Sequence, residues 1–366
     1  MVRRYGCTHT FGARADDSWT YRGIETAVVE NEWLRAVVLT GKGGDVCSLS
    51  FKPTDTEFMW RTPNGVPGPR FPNAPATGDG DALWFDHYEG GWQSVFPNGG
   101  DPSSFAGAQL GLHAESSALP WDCVVSAEGP DHAEVTLTVR LVRTPITAER
   151  TIGLHAGSPV LRIRETLVNT GTEELPISYG QHITFGAPFL SEHCRIDLPG
   201  GEVRTHPVSW SPGNRLAAGS RAPWPHAPLM DGTLTQLDTI PAPGSGIEDL
   251  AYIDGVEDGW YAVTNREMGV GLAVRYPAAL YRHLWYWQVF NGPFRYPWWG
   301  QTYNIGLEPF TSATNRGIEA AIQDGSALML KPQAPLVSEL RLSAYCSRAG
   351  VVSVDPEGAV ILRDPT

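Results

Sequence analysis

The sequence predicts an all-β protein, a sandwich of two large antiparallel sheets with few and short helices. Three observations lead there. Forty glycines and thirty prolines in 366 residues interrupt the chain too often for long helices. Between these interruptions, apolar residues recur at every second position, the period of a strand with one face turned to a core. One short segment reads as a helix, near NRGIEAAIQDG, and Gly325 stops it.

In chain order, GIETAVVE, WLRAVVLT and DVCSLSF come first as candidate strands. In AEVTLTVRLVR, Val135, Leu137, Val139 and Leu141 face one way, and Glu134, Thr136, Thr138 and Arg140 face the other. PVLRIRETLV repeats the pattern with Leu161, Ile163 and Leu167 inward. SYGQHITFGAPFL, GWYAVTN, VGLAVRY and VSELRLSAY supply further strands. Residues 61–81 and 211–249, rich in Pro, Gly and Ala, read as long loops, and loops of that length carry function or lack fixed structure. No internal repeat and no change of composition divides the chain, so a single domain over residues 1–366 is expected.

Hydrophobic residues make up 42% and charged residues 18%, enough to bury a sizeable core. Lys and Arg number 27 against 40 Asp and Glu, a net charge of -13. Such a surface repels phosphate backbones and anionic headgroups, so neither nucleic acid nor membrane is an expected partner. Cys7, Cys47, Cys123, Cys194 and Cys346 are scattered and form no CxxC pair, the spacing of neither a disulfide framework nor a zinc site. MVRRYGCTHTFG lacks the apolar stretch of a signal peptide, and no apolar run approaches the ~20 residues of a membrane span. The expectation is a cytoplasmic protein with reduced thiols, a monomer or a homodimer.

Three stretches bring ionisable residues into apolar or glycine-rich surroundings. WFDHYEGGWQSVFPNGGD holds His87, Gln93 and Asn98, and GLHAESSALPW follows with His113. SYGQHITFGAPFL sets His182 between apolar residues. WYWQVFNGPFRYPWWGQTYNIGLEPF delivers Glu308 after a dense run of aromatics. An unperturbed Glu has a pKa of about 4.3 and a His about 6.5, so one takes a proton while the other gives one. Aromatic faces suit the C–H faces of a sugar ring, and Asn, Gln and His suit its hydroxyls. Plainer readings stand beside these: His182 as a hydrogen-bonded core residue, Glu308 in a buried ion pair with Arg295 or Arg316, the aromatics as core, and His87 facing solvent on a loop.

In their order these motifs resemble the aldose 1-epimerases, or galactose mutarotases. GGDVCSLSFKPTDTEFMW is similar to that family's opening strand pair, and GGWQSVFPNGG to its glycine-rich F-P-N-G loop. GLHAESSALPW, QHITFGAPFL and YNIGLEPFTS resemble its later His, His and Glu segments, so that the resemblance covers residues 43–312. It implies a galactose mutarotase-like β-supersandwich that interconverts the α and β anomers of an aldose or modified hexose without a cofactor. It further implies Glu308 as general base on the anomeric hydroxyl, His182 as general acid on the ring oxygen and His113 as a substrate-orienting residue. Arg70, in GPRFPN, takes the place of the family's sugar-binding Arg, and His87, Gln93, Asn98, Trp285 and Trp299 complete the expected sugar contacts. The chain departs from the family at His113-Ala114, where the family has His-Gly, and offers Asp249 or Asp254 for its substrate-binding Asp. Two other classes fit the same residues: a non-catalytic sugar-binding protein, and a metal-dependent isomerase or lyase using His87, His113, His182 and Glu308. The expected partner is in each case a small-molecule sugar.

Overall fold

The structure, a computed structural model, describes residues 12–66 and 80–364. Two antiparallel sheets of 12 and 8 strands face each other, as the period-two runs predict. Every segment expected as a strand lies in one of them. The larger sheet runs in the order Arg14–Tyr21, Ile24–Glu30, Leu34–Leu39, Asp45–Phe51, Trp92–Val95, Gly180–Gly186, Tyr303–Phe310, His283–Phe290, Ile247–Asp254, Glu202–Thr205 and Arg221–Pro223, with Thr56–Glu57 paired to Asp45–Phe51. The smaller is centred on Val160–Asn169 and Pro335–Cys346.

The main core lies between the sheets. Ile183, Phe185, Ile305 and Leu307 of the larger sheet join Leu161, Ile163, Leu272, Leu340 and Leu342 of the smaller in one apolar cluster. The middle strands of the larger sheet are buried on both faces, so they read in the sequence as near-continuous apolar runs. Alternation still sorts their side chains. In His283–Phe290, Leu284, Tyr286 and Phe290 enter the main core, while Trp285, Trp287 and Val289 join a second, aromatic cluster on the outer face. That outer cluster, with Trp60, Tyr88, Trp298 and Phe310, is where the candidate site lies.

Two helices occur among the described residues. The expected one, α2, spans Gly317–Gln323. The other, α1, spans Gly80–His87 and meets only the end of the loop expected over 61–81, of which residues 67–79 lie outside the described residues. It has no apolar stripe to signal it: its large aromatics, Trp84 and Phe85, are adjacent rather than three or four apart. The long loop expected over 211–249 likewise contains short strands, Arg221–Pro223, His226–Pro228 and Leu234–Gln236. No helix among the described residues is long and apolar enough to cross a membrane.

Candidate active site

Pairing of the central strands brings the expected acid and base together. Gly180 lies opposite Phe310 and Thr184 opposite Gly306, which sets His182 across from Glu308 on the outer face. His182 Nε2 is 3.4 Å from Glu308 Oε1, and each residue is 3% exposed. Gly306 makes room for this contact, since a Cβ there would sit 2.2 Å from Glu308 Oε1. Glu308 is not in a structural ion pair with arginine, because Arg295 pairs with Glu248 and no Lys or Arg pairs with Glu308 among the described residues.

His113 arrives from the loop after the strand Ala108–Leu110, with a left-handed φ of 48° that a non-glycine residue adopts at a cost. Its ring lies 5.0 Å from that of His182. The Gly100 N–H donates to His113 Nδ1 at 3.1 Å, so the neutral ring carries its proton on Nε2. Tyr88 backs the other imidazole: its hydroxyl is 3.1 Å from His182 Nδ1 and 3.3 Å from Thr184 Oγ1. Thr184 already donates to the Gly91 carbonyl at 2.6 Å, so the Tyr88 hydroxyl proton goes to Thr184 or to His182.

Burial sets the protonation states. Desolvation lifts the Glu308 carboxyl well above the usual range, pushes His182 down to about 3, and holds His113 well below an ordinary imidazole. Burial thus favours the neutral forms at the His182–Glu308 contact, a carboxylic acid against an uncharged imidazole. Between them the two groups hold one transferable proton.

The indole of Trp84, from α1, closes this site. It stacks on Tyr88 at 4.1 Å, tilts against His113 at 4.9 Å and meets the edge of His182 at 5.6 Å. Its Nε1 donates to Gln93 Oε1 at 3.1 Å, while Gln93 Nε2 donates to Asp45 Oδ2 at 2.9 Å. Asp45 and Glu89 share the half-buried Lys42 ammonium, at 2.7 and 2.5 Å. Desolvation raises the Glu89 carboxyl to about 8 against the opposing pull of Lys42. A cavity of about 790 Å³ adjoins Trp84 and is lined also by Lys42, His87, Tyr88, Gln109 and Arg143.

The other expected contacts divide. Gln93 is at the site, and His87 ends α1 beside the adjoining cavity, its Nδ1 2.9 Å from the Leu83 carbonyl. Asn98, expected at the sugar, instead spends its amide on backbone: its Nδ2 donates to Asp101 and Gly111 carbonyls at 3.0 and 2.8 Å, and its Oδ1 accepts from the Ile318 N–H at 2.7 Å. It braces the loop that carries His113 against α2. Trp285, expected in a groove wall, is buried beneath the site, stacked on Phe310 at 3.7 Å with its Nε1 donating to the Ser312 carbonyl at 2.9 Å. Trp299 stands at the rim, 46% exposed, its ring 5.2 Å from that of Phe294. Arg70 lies outside the described residues. Asp249 and Asp254 are engaged by Arg215 and Arg204, at 2.7 and 2.8 Å. The four-ligand metal reading is not assembled: no group of three His, Cys, Asp or Glu side chains is placed to hold an ion among the described residues.

Sequence reasoning missed Trp84 and Tyr88, the residues that enclose the two histidines. No local pattern marks them, since Trp84 lies in α1 and Tyr88 just beyond its end, and their neighbours at the site come from distant segments.

These features define a β-supersandwich of the galactose mutarotase-like fold. A solved structure described as a candidate aldose 1-epimerase from Klebsiella pneumoniae superimposes with a TM-score of 0.70 at 16% identity, over 92% of this chain and 84% of that one. A galactose mutarotase related enzyme from Lactobacillus acidophilus gives 0.57 at 15% identity, over 88% and 98%. A galactose mutarotase-like protein from Clostridium acetobutylicum gives 0.60 at 14%, over 92% and 99%. The chain belongs to the family named domain of unknown function DUF4432, which matches residues 21–344. No curated protein matches it.

Proposed function

We propose that this protein is a carbohydrate epimerase that interconverts the anomers of an aldose or a modified hexose, with Glu308 and His182 as its acid–base pair. The observation that carries the reading is the 3.4 Å contact between Glu308 Oε1 and His182 Nε2, buried on the aromatic face of the larger sheet. The likeness of the fold to solved mutarotase-like proteins supports it.

Sugar entry displaces the Trp84 indole, and the sugar hydroxyls then supply the hydrogen bonds that burial denied the ionised forms. The shared proton moves to His182, leaving a Glu308 carboxylate beside an imidazolium. The carboxylate takes the proton of the anomeric hydroxyl, and the anomeric carbonyl forms as the bond from carbon 1 to the ring oxygen breaks. His182 Nε2–H protonates that ring oxygen. The open aldehyde turns about its bond to carbon 2. Reclosure on the other carbonyl face returns the ring-oxygen proton to His182, and Glu308 gives its proton to the new anomeric oxygen. Each step moves protons between these two groups and the sugar, so the chemistry calls for no oxidant and no cofactor. His113 Nε2–H orients the sugar as a donor, and the Gln93 oxygen, released by the indole, accepts from a hydroxyl.

The test is anomeric exchange by NMR across a panel of free sugars, with Glu308→Gln as the comparison. Exchange above the uncatalysed rate that falls by about a hundredfold or more in the variant supports the reading. No acceleration for any sugar, or an unaffected variant, sinks it.

A further inference from the structure

We infer that Asn304 is a substrate-binding residue, holding hydroxyls of the sugar ring away from its anomeric carbon, with Thr302 beside it. The inference rests on the epimerase reading for the identity of the ligand as a sugar, and on independent observations for the site.

The first observation is an unmet demand. Asn304 is fully buried, yet among the described residues neither its Nδ2 nor its Oδ1 has a hydrogen-bond partner. Thr302, also fully buried, has an Oγ1 without a partner among the described residues. Buried amides and hydroxyls are almost always paired, so two such groups in succession call for an explanation.

The second observation is placement. Along the strand Tyr303–Phe310, alternate positions share a face, so Asn304, Gly306 and Glu308 line up on the outer one. Gly306 has no side chain, and the Glu308 carboxyl leans over it, as the 2.2 Å approach to a Cβ there records. One two-residue step, about 7 Å, then separates that carboxyl from the Asn304 position. A hexose spans such a gap, its anomeric hydroxyl at Glu308 and its far hydroxyls at Asn304.

The third is company. Cross-strand neighbours on this face are Trp287 beside Gly306 and Val289 beside Asn304. On the other side lies Gly186, over which Trp60 packs so closely that a Cβ would meet its Cδ1 at 2.5 Å. Amide, hydroxyl and carboxyl set among tryptophans is the chemistry that recognises a polyhydroxylated ring: hydrogen bonds to its hydroxyls and stacking on its C–H faces.

The test pairs stability with sugar binding. Asn304→Val removes the unmet groups, so thermal unfolding should stay level or rise by ~1–3 °C. Calorimetric affinity for the turned-over sugar should fall at least about tenfold. Singly deoxygenated analogues supply the second arm. Wild type should discriminate against the analogue lacking the far hydroxyl, and Asn304→Val should not. A variant that loses stability while keeping both affinity and discrimination overturns the inference. If stability and affinity fall together, the analogues decide: preserved discrimination overturns it, lost discrimination upholds it. Exchange measured on the same sugars keeps the two proposals separate. Binding that depends on Asn304 without exchange defeats the epimerase reading alone. Exchange indifferent to Asn304 defeats this inference alone.

Discussion

Replacing Glu308 by Gln and, separately, Glu165 by Gln should separate chemistry from support. Both glutamates are buried, but their surroundings differ. Glu165 lies 3.3 Å from the Nε of the equally buried Arg150 and accepts hydrogen bonds from the Tyr179 hydroxyl and Gln181 Nε2, each at 2.5 Å. Coulomb's law at an effective dielectric of about 20 gives about 5 kcal/mol for unit charges at that separation. Removing one partner strands the other charge, so Glu165→Gln should cost ~3–5 kcal/mol. Glu308 faces a neutral imidazole, and burial keeps its carboxyl protonated. An amide of the same shape changes no charge in the folded state and needs no proton uptake on folding, so Glu308→Gln should not lower stability and should raise it near neutral pH. Its anomeric exchange should nevertheless fall by about a hundredfold or more. Urea unfolding and NMR exchange on the two variants read both quantities. The reasoning is refuted if Glu308→Gln is destabilised as deeply as Glu165→Gln, because Glu308 would then be a structural anion.

Further expectations concern the same face. An unfolded His182 takes up a proton near 6.5 and the buried ring only near 3, so below 6.5 the unfolded chain binds more protons and stability falls as pH drops through that window. At about 1.36 kcal/mol per unit the loss is at most about 5 kcal/mol, and urea titrations should find it reduced in His182→Gln. Glu308 acts in the opposite sense, its contribution lost as pH rises from 4.5 toward its raised pKa. Gly306→Ala should push the Glu308 carboxyl aside, cutting exchange at least about tenfold with little change in unfolding midpoint, because the crowded atom ends a flexible side chain. Trp84→Ala should expose the pair: carbodiimide labelling of Glu308, mapped by mass spectrometry, should rise several-fold over wild type while Glu165 stays unlabelled. Equal labelling of Glu308 in both proteins would show that Trp84 is not the barrier.

The fold was legible because strands with one face in the core keep a strict alternation, as Val135, Leu137 and Val139 do. Glu308 and His182 were singled out because their motifs stand in a recognisable order, although neither sequence segment says that the two strands are neighbours, as they are. What escaped has physical causes. α1 lacks a stripe because its aromatics pack against other aromatics around the site rather than on the main core. Glu165 falls at an inward position between Ile163 and Leu167, and its partner Arg150 is a whole strand away, so nothing local marks the pair. Asn98 and Trp285 were placed at the sugar by residue type alone, and hydrogen bonding to backbone is invisible at that level.

Strands buried on both faces have an evolutionary consequence. In Tyr303–Phe310, Ile305 and Leu307 fill the sandwich while Glu308 serves the outer face. A single inserted or deleted residue would exchange these roles, driving an acid into the core and an aliphatic into the site. Such an indel would cost the chain its packing and its site at once. On the epimerase reading, sugar preference can change at Asn304 without disturbing the alternation, or in segments that hang off the strand ends: α1, the stretch 211–246 and the aromatic loop 291–302. On that reading the acid–base pair is tied to the framework that folds the chain, and substitution around it is freer than insertion.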